Sequence, residues 1–158
     1  MEVLHYEFKG MLYDEWELNR TYVTGAHTIR EAEIVNYCDL SGNTNPLYTN
    51  DLFAKDTPSG LKVVPEGLLF ILANGVDTAT LWVDGSHIGL LDQQLSFLKP
   101  VYVGDTIYVT KTPVEMRLSR KPGRGIITFR VCVYNQDDEM VADGKWVILM
   151  ATDKEHME

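Results

Sequence analysis

The most apolar stretch of the chain, Leu68 to Trp82, follows the tripeptide Pro65-Glu66-Gly67 and constrains the fold more than any other segment. Proline at the first helical position with an acid beside it is typical of a helix start. Residues 68–72 are apolar on every side of such a helix, and a helix of that kind is buried. We therefore predict one long buried helix, interrupted by Asn74 and Gly75.

The residues from 86 to 150 alternate between apolar and polar side chains, which is typical of strands with one buried face. Pro113 lies inside this pattern and predicts a strand edge or a bulge. We predict an antiparallel sheet wrapped around the buried helix, which is an α+β domain. The alternation is clearest at Val114, Met116, Leu118, Ile127, Phe129, Val131, Val133, Trp146, Ile148 and Met150.

The segment before the buried helix is predicted to hold a short strand and two helices. The residues from Tyr22 to Ile29 favour a strand, and those from Arg30 to Tyr37 have the apolar spacing of a helix. Ser41 to Pro46 is turn-forming, and Asn50 could cap a short helix from Asp51 to Lys55.

Length and charge exclude several classes of protein. A chain of 158 residues without a linker predicts one domain, with residues 1–20 as an N-terminal extension and residues 152–158 as a frayed tail. Fourteen basic against 23 acidic side chains give a net charge of −9, which disfavours nucleic acid and anionic membranes as partners. The absence of a signal-like start predicts a cytoplasmic protein with two reduced cysteines, Cys38 and Cys132. The histidines and cysteines lack metal-ligand spacing, so we expect no metal.

The residues from Tyr37 to Ala54, centred on Ser41-Gly42-Asn43-Thr44-Asn45-Pro46-Leu47-Tyr48, resemble the hydratase motif of the MaoC-like dehydratases, which include the (R)-specific enoyl-CoA hydratases. The resemblance continues through the segments from Phe97 to Thr106 and from Ser119 to Phe129. It implies a hotdog fold, an acyl-thioester ligand carried by coenzyme A or an acyl carrier, and no metal or organic cofactor. It also implies a homodimer or higher oligomer, or a heteromeric pair.

Both catalytic positions of the motif differ from the family pattern. Family members read Ser-Gly-Asp-x-Asn-Pro-hydrophobic-His, whereas this chain has Asn43 in place of the Asp and Tyr48 in place of the His. Hydration of an enoyl thioester needs a base for water and an acid for the α-carbon. An amide has no usable basicity, and a phenol with a reference pKa near 10 is a neutral donor at pH 7. The resemblance therefore predicts the fold and the ligand class better than the reaction.

The start of the buried helix differs as well. Family members often read Ala-His-Gly there, and a backbone N–H polarises the thioester carbonyl. This chain has Val64-Pro65-Glu66, and Asn74 falls where many members carry a serine that faces the substrate. The resulting candidate catalytic residues are Asn43, Tyr48 and Glu66, and the candidate substrate-binding residues are Asn45, Pro65, Gly67 and Asn74.

Several candidates also have a structural interpretation. Tyr48 could be a half-buried aromatic side chain under the helix, although the resemblance favours a position in a cavity. Asn43 and Asn45 could simply close a turn through bonds from their side chains to the backbone, which is the better interpretation for Asn45. Glu66 could stabilise the helix dipole by about 0.3–1 kcal/mol, or act as a relocated general base. Asn74, if buried, needs a hydrogen-bond partner, which could be backbone, the loop bearing Asn43, or a ligand.

Three functions remain open, and an acyl-thioester hydratase or dehydratase with a rewired site comes first. Tyr48 and Glu66 would then supply acid and base. A hotdog thioesterase would use Glu66 and the helix start to polarise the thioester. A non-catalytic subunit of a hydratase pair would bind acyl-CoA without turnover.

Overall fold

The computed structural model describes residues 2–157 of the chain. Five strands form a single sheet in the order β1-β3-β4-β5-β2, and every neighbouring pair is antiparallel. This confirms the predicted antiparallel sheet. The strands are β1 (Tyr22–Thr28), β2 (His87–Phe97), β3 (Thr106–Leu118), β4 (Arg124–Tyr134) and β5 (Met140–Ala151).

Four α-helices lie between β1 and β2, and the last of them packs on the concave face of the sheet. They are α1 (Glu31–Ser41), α2 (Pro46–Thr49), α3 (Asp51–Lys55) and α4 (Glu66–Thr78). Two short 3-10 helices, Tyr13–Glu15 and Lys154–His156, flank the domain. The sheet wrapped around α4 confirms the predicted α+β architecture.

The core consists of alternate residues of β3, β4 and β5, which point toward α4. Because side chains alternate across a strand, the polar residues between them lie on the outer face. A register shift between Pro113 and Glu115 confirms the predicted bulge. The fully or almost fully buried set includes Ile107, Val109, Ile127, Phe129, Val131, Val133, Trp146, Ile148 and Met150.

The extent and burial of α4 differ from the prediction. The helix begins at Glu66, with Pro65 as its N-cap, and ends at Thr78 rather than continuing to Trp82. It ends where the Thr78 hydroxyl donates to two carbonyls of the last turn, just before Leu81 adopts a φ of 62°. Leu68, Leu69, Ala73 and Asp77 are buried, whereas Ile71 is 55% exposed. The prediction of burial on every side was wrong because the sheet covers only one side of α4.

One charged pair lies inside the core. Lys111 of β3 donates from Nζ to Asp77 Oδ2 of α4 at 2.9 Å, and the two side chains are 0% and 3% exposed. The Lys111 ammonium also lies 4.5 Å from the Phe129 ring centre and 5.3 Å from that of Trp16. Burial lowers the pKa of Lys111, although Asp77 opposes that shift.

The α1 segment extends further than the prediction of Arg30 to Tyr37. It runs to Ser41 and ends at Gly42, whose φ of 69° suits a glycine C-cap. The predicted cap of α3 is confirmed, because Asn50 Oδ1 accepts from the backbone N–H groups of Leu52 and Phe53.

The N-terminal segment, interpreted from sequence as an extension, contributes two aromatic side chains to the core. Trp16 is 3% exposed, and Tyr13 packs where a Cβ at Gly125 would collide with its ring. At the other end, the tail predicted to fray contains the 3-10 helix Lys154–His156, and Thr152 N donates to Gly123 O. Glu158 lies outside the described residues.

Within residues 2–157, no helix is long and apolar enough to cross a membrane. Over the same range, no cluster of three or more His, Cys, Asp or Glu side chains is placed to hold a metal ion. Cys38 and Cys132 are buried free thiols.

Candidate active site

The start of α4 lies against α1 and α2. Val64 N donates to Val101 O at 2.7 Å, which ties the segment before α4 to the sheet side of the domain. Lys62 forms ion pairs with Glu31 of α1 and Asp51 of α3, the latter at 3.2 Å. The sequence analysis missed Lys62, since both of its partners are distant in sequence.

Tyr48 and Glu66 form a hydrogen-bonded pair at the beginning of α4. The Tyr48 hydroxyl donates to Glu66 Oε2 at 2.9 Å, across 18 residues of sequence. Tyr48 is half-buried at the end of α2, whereas Glu66 is exposed on the first turn of α4. The two candidate catalytic side chains therefore lie in direct contact.

The environment of Tyr48 keeps its hydroxyl protonated. Burial, followed by the hydrogen bond and the charge of Glu66, raises the pKa of Tyr48 to about 12. At neutral pH the phenol is therefore a hydrogen-bond donor and a potential proton donor. The adjacent carboxylate is the group that can accept a proton.

Gly67 and Pro65 shape the backbone at the helix start. Pro65 is buried and its carbonyl accepts from Leu69 N at 3.0 Å. No side chain caps α4, so its first N–H groups, which have no intrahelical partner, remain available to a ligand. A Cβ at Gly67 would collide with the Tyr37 hydroxyl of α1, so glycine permits the close approach of α1 to α4.

Asn43 and Asn45 hold the turn between α1 and α2. Asn43 Oδ1 accepts from Asn45 N at 3.2 Å, and Asn45 Oδ1 accepts from Leu47 N at 3.0 Å as the N-cap of α2. The structural interpretation of Asn45 is confirmed. Asn43 is half-buried, and its oxygen is engaged in the turn rather than with Tyr48 or Glu66.

Asn74 lies away from this cluster. It is exposed on α4, and its Oδ1 accepts from Gln93 Nε2 of β2 at 3.3 Å. The expectation that a buried Asn74 needs a partner was based on the wrong burial, since Asn74 is exposed. Its partner lies on β2 and not on the loop bearing Asn43.

A cavity of about 300 Å³ opens beside Glu66. Glu66 lies at its edge together with Lys99, and the rest of the wall is mainly apolar. A cavity with apolar walls and a few polar groups suits a small organic ligand. The apolar lining residues are Val63, Val64, Leu69, Phe97, Leu98, Pro100 and Val101.

The structure thus brings together four of the seven residues predicted from sequence: Tyr48, Pro65, Glu66 and Gly67. The arrangement offers a carboxylate, a neutral phenol and free backbone N–H groups at one helix end. Tyr37, which the sequence analysis did not select, lies against Gly67. Tyr37 begins the segment that resembles the hydratase motif, but it is not one of the motif's two catalytic positions, and its approach to α4 depends on how α1 packs.

Two curated relatives match most of the chain. The 3-hydroxybutyryl-CoA dehydratase of Methylorubrum extorquens is 25% identical over 144 residues, which is 90% of this chain and 85% of the relative. The (R)-specific enoyl-CoA hydratase of Rhodospirillum rubrum is 31% identical over 107 residues, which is 66% of this chain and 69% of the relative.

A solved structure from Mycobacterium tuberculosis, described as a double hotdog fold, superposes with a TM-score of 0.79 at 21% identity. The match covers 92% of this chain and 46% of the other, so this chain corresponds to less than half of that protein. This likeness confirms the hotdog fold. The family model described as MaoC like domain matches residues 16–135, and the chain therefore belongs to the MaoC-like family.

Proposed function

We propose that the protein is an acyl-thioester hydratase or dehydratase that uses Glu66 and Tyr48 as its proton-transfer pair. The observation that carries this proposal is the 2.9 Å hydrogen bond from the Tyr48 hydroxyl to Glu66 Oε2 at the start of α4. The two relatives described as a 3-hydroxybutyryl-CoA dehydratase and an (R)-specific enoyl-CoA hydratase support the same substrate class.

In the hydration direction, Glu66 takes a proton from water as the water oxygen bonds to the β-carbon of a trans-2-enoyl thioester. The electrons of the carbon–carbon double bond move onto the thioester oxygen. The α-carbon then takes the phenolic proton of Tyr48, and protonated Glu66 returns a proton to Tyr48. The sum is the addition of one water molecule, with both side chains restored.

The start of α4 is suited to stabilise the negative charge that develops on the thioester oxygen. The free N–H groups of the first turn and the positive end of the helix dipole are both suited to an oxyanion. The acyl group would occupy the neighbouring apolar cavity beside Glu66. This direction of entry places the reacting carbons near the carboxylate.

The test is the loss of enoyl-thioester absorbance with crotonyl-CoA and a small panel of enoyl-CoAs, with thiol release followed in the same wells. We expect wild type to hydrate at least one substrate, and Glu66→Gln to lower kcat about 100-fold or more. Glu155→Gln, an exposed position in the 3-10 helix Lys154–His156, is the matched control and should retain full activity. Thiol release without hydration would contradict the hydratase proposal and identify the activity as that of a thioesterase.

A binding subunit without turnover is the second candidate. It is favoured by Asn43, whose side-chain oxygen accepts from the Asn45 backbone and so acts in the turn. In that case wild type would bind acyl-CoA without hydration, and Asn43→Asp/Tyr48→His would gain activity. If neither wild type nor the double variant hydrates any substrate, the result would contradict the hydratase proposal.

We further propose that two copies of the chain pair through β2. This strand is at the edge of the sheet, and it exposes Leu90, Leu91 and Phe97 at 45%, 53% and 41%. Exposed apolar residues on an open edge are typical of a surface that pairs. Light scattering after gel filtration should give about twice the chain mass of 17.9 kDa, and Leu91→Lys should lower it to that of one chain.

A further inference from the structure

The hydroxyl of Tyr37 lies at the beginning of α4, directly against Gly67. Tyr37 is on α1, and a Cβ placed on Gly67 would come within 2.9 Å of Tyr37 Cζ and closer still to its oxygen. The absence of a side chain at Gly67 therefore lets a phenol oxygen reach the first turn of the helix. The ring itself is half-buried and packs against the core.

The same hydroxyl is close to the Tyr48–Glu66 pair but does not join it. The Tyr37 hydroxyl meets Gly67 and the Tyr48 hydroxyl donates to Glu66, so the two phenols approach adjacent residues of α4. Among the side-chain hydrogen bonds of residues 2–157, Tyr37 takes part only through its backbone carbonyl, which accepts from Ser41 Oγ. Within the described residues, the Tyr37 hydroxyl therefore has no hydrogen-bond partner to lose when it donates to a ligand.

We propose that Tyr37 is a further catalytic residue, whose phenolic O–H donates a hydrogen bond to the thioester oxygen of the bound acyl group. This inference rests on the proposed function, because it concerns the same helix end. The phenol keeps its own proton throughout. It stabilises the negative charge that reaches the thioester oxygen when the β-carbon bonds to water.

Tyr37 and Tyr48 have different roles in this proposal because their hydroxyl groups make different contacts. The Tyr48 hydroxyl is engaged with Glu66 and so belongs to the proton-transfer pair. The Tyr37 hydroxyl lies beside the backbone of the first turn, where the N–H groups offer the other hydrogen bonds. A donor at such a position contributes about 100-fold or more to kcat when it points at the developing charge.

The first test compares crotonyl-CoA hydration by wild type, Tyr37→Phe and the control Tyr134→Phe. The Phe variant keeps the ring that packs under α1 and removes only the oxygen, while Tyr134 lies on β4 and stacks on Tyr108 on the outer face of the sheet. We expect Tyr37→Phe to lose about 100-fold or more in kcat with KM within about twofold. Wild-type kcat in Tyr37→Phe would overturn the proposal and leave the hydratase function intact.

The second test does not need turnover. The absorbance of hexadienoyl-CoA shifts to longer wavelength when a hydrogen bond polarises its thioester carbonyl, and this shift is recorded on binding to each protein. We expect a shift with wild type and Tyr134→Phe that is at least halved with Tyr37→Phe, at matched occupancy measured by titration. If the protein hydrates no enoyl-CoA of the panel, such a loss would support the hydrogen bond from Tyr37 and overturn only the hydratase function. An equal shift with Tyr37→Phe, or no binding by wild type, would overturn the role of Tyr37.

Discussion

The two ends of α4 carry hydrogen-bonded pairs of the same length in opposite environments. At its beginning, the Tyr48 hydroxyl donates to Glu66 at 2.9 Å beside an open cavity. Near its end, Lys111 donates to Asp77 at 2.9 Å inside the core. The distance alone does not distinguish the two pairs. Their exposure distinguishes them, because a side chain can exchange a proton with a substrate only where the substrate can enter.

The buried pair has a structural consequence that the exposed pair lacks. Taking two charges out of water is costly, and the pair is stable only when the partners and their neighbours compensate. Here Lys111 has Asp77 and three aromatic faces, Trp16, Phe129 and Trp146, within 5.8 Å. The pair fixes the position of α4 relative to β3. The exposed pair can be lost with little effect on folding.

The largest effect should follow from breaking the buried pair. Asp77→Ala leaves the Lys111 ammonium without its carboxylate in the core, and we expect a loss of about 3–5 kcal/mol in the free energy of unfolding. Denaturant unfolding followed by tryptophan fluorescence measures it. A loss below about 1 kcal/mol would mean that water reaches Lys111 and that the pair is not buried in solution.

Removing both charges should restore much of that stability. In Lys111→Met/Asp77→Leu, apolar side chains replace the pair, and such replacements are often neutral or stabilising. We expect the double variant to be at least about 2 kcal/mol more stable than Asp77→Ala, by the same unfolding curves. A double variant as unstable as the single one would show that the cost arises from packing and not from the unpaired charge.

Removing the exposed pair should change stability only slightly. Glu66→Gln loses one negative charge at a helix start, which is about 0.3–1 kcal/mol, and Tyr48→Phe removes one hydrogen bond of about 1 kcal/mol. Both proteins should unfold within about 1 kcal/mol of wild type, as measured in parallel with Asp77→Ala. Losses comparable to that of Asp77→Ala would assign the exposed pair a structural role instead.

The smallest expected effect is a pH dependence of Tyr48. Its pKa is raised from 10.0 to about 12, so the unfolded chain releases this proton first as the pH rises. The stabilising contribution is therefore complete below pH 10 and is lost between about pH 10 and 12.

The ultraviolet titration of wild type minus that of Tyr48→Phe isolates the Tyr48 hydroxyl and should show no phenolate near pH 10. In Glu66→Gln, the titration should begin at lower pH, because the hydrogen bond and charge of Glu66 both raise the pKa of Tyr48. An unchanged titration would contradict this contact.

Local signals predicted most of the fold. The period-2 pattern identified β3, β4 and β5, and Asn50 was identified as the cap of α3 because its side chain bonds to residues two and three positions away. The start of α4 was predicted within one residue from Pro65 and Glu66. These features depend only on residues that are neighbours in the chain, so they can be predicted from the sequence.

The candidate site was predicted in part, through the resemblance of its motif. Tyr48 and Glu66 were selected separately, but nothing in the sequence indicated that they form a hydrogen bond. Asn74 was expected to be buried and is exposed, because the apolar character of α4 does not reveal which side the sheet covers. Tyr37 was not selected because its contact with Gly67 depends on the approach of α1 to α4.

By itself, the sequence determined the strands, the starts of α1, α3 and α4 to within one residue, the antiparallel sheet around α4 and the family. Hydrophobic periodicity and capping act over a few residues, and a given pattern leads to the same element wherever it occurs. The tertiary structure alone decided which ionisable groups meet: Tyr48 with Glu66 across 18 residues, and Asp77 with Lys111 across 34. It also decided which of these pairs reaches solvent, since burial depends on the packing of whole elements against each other.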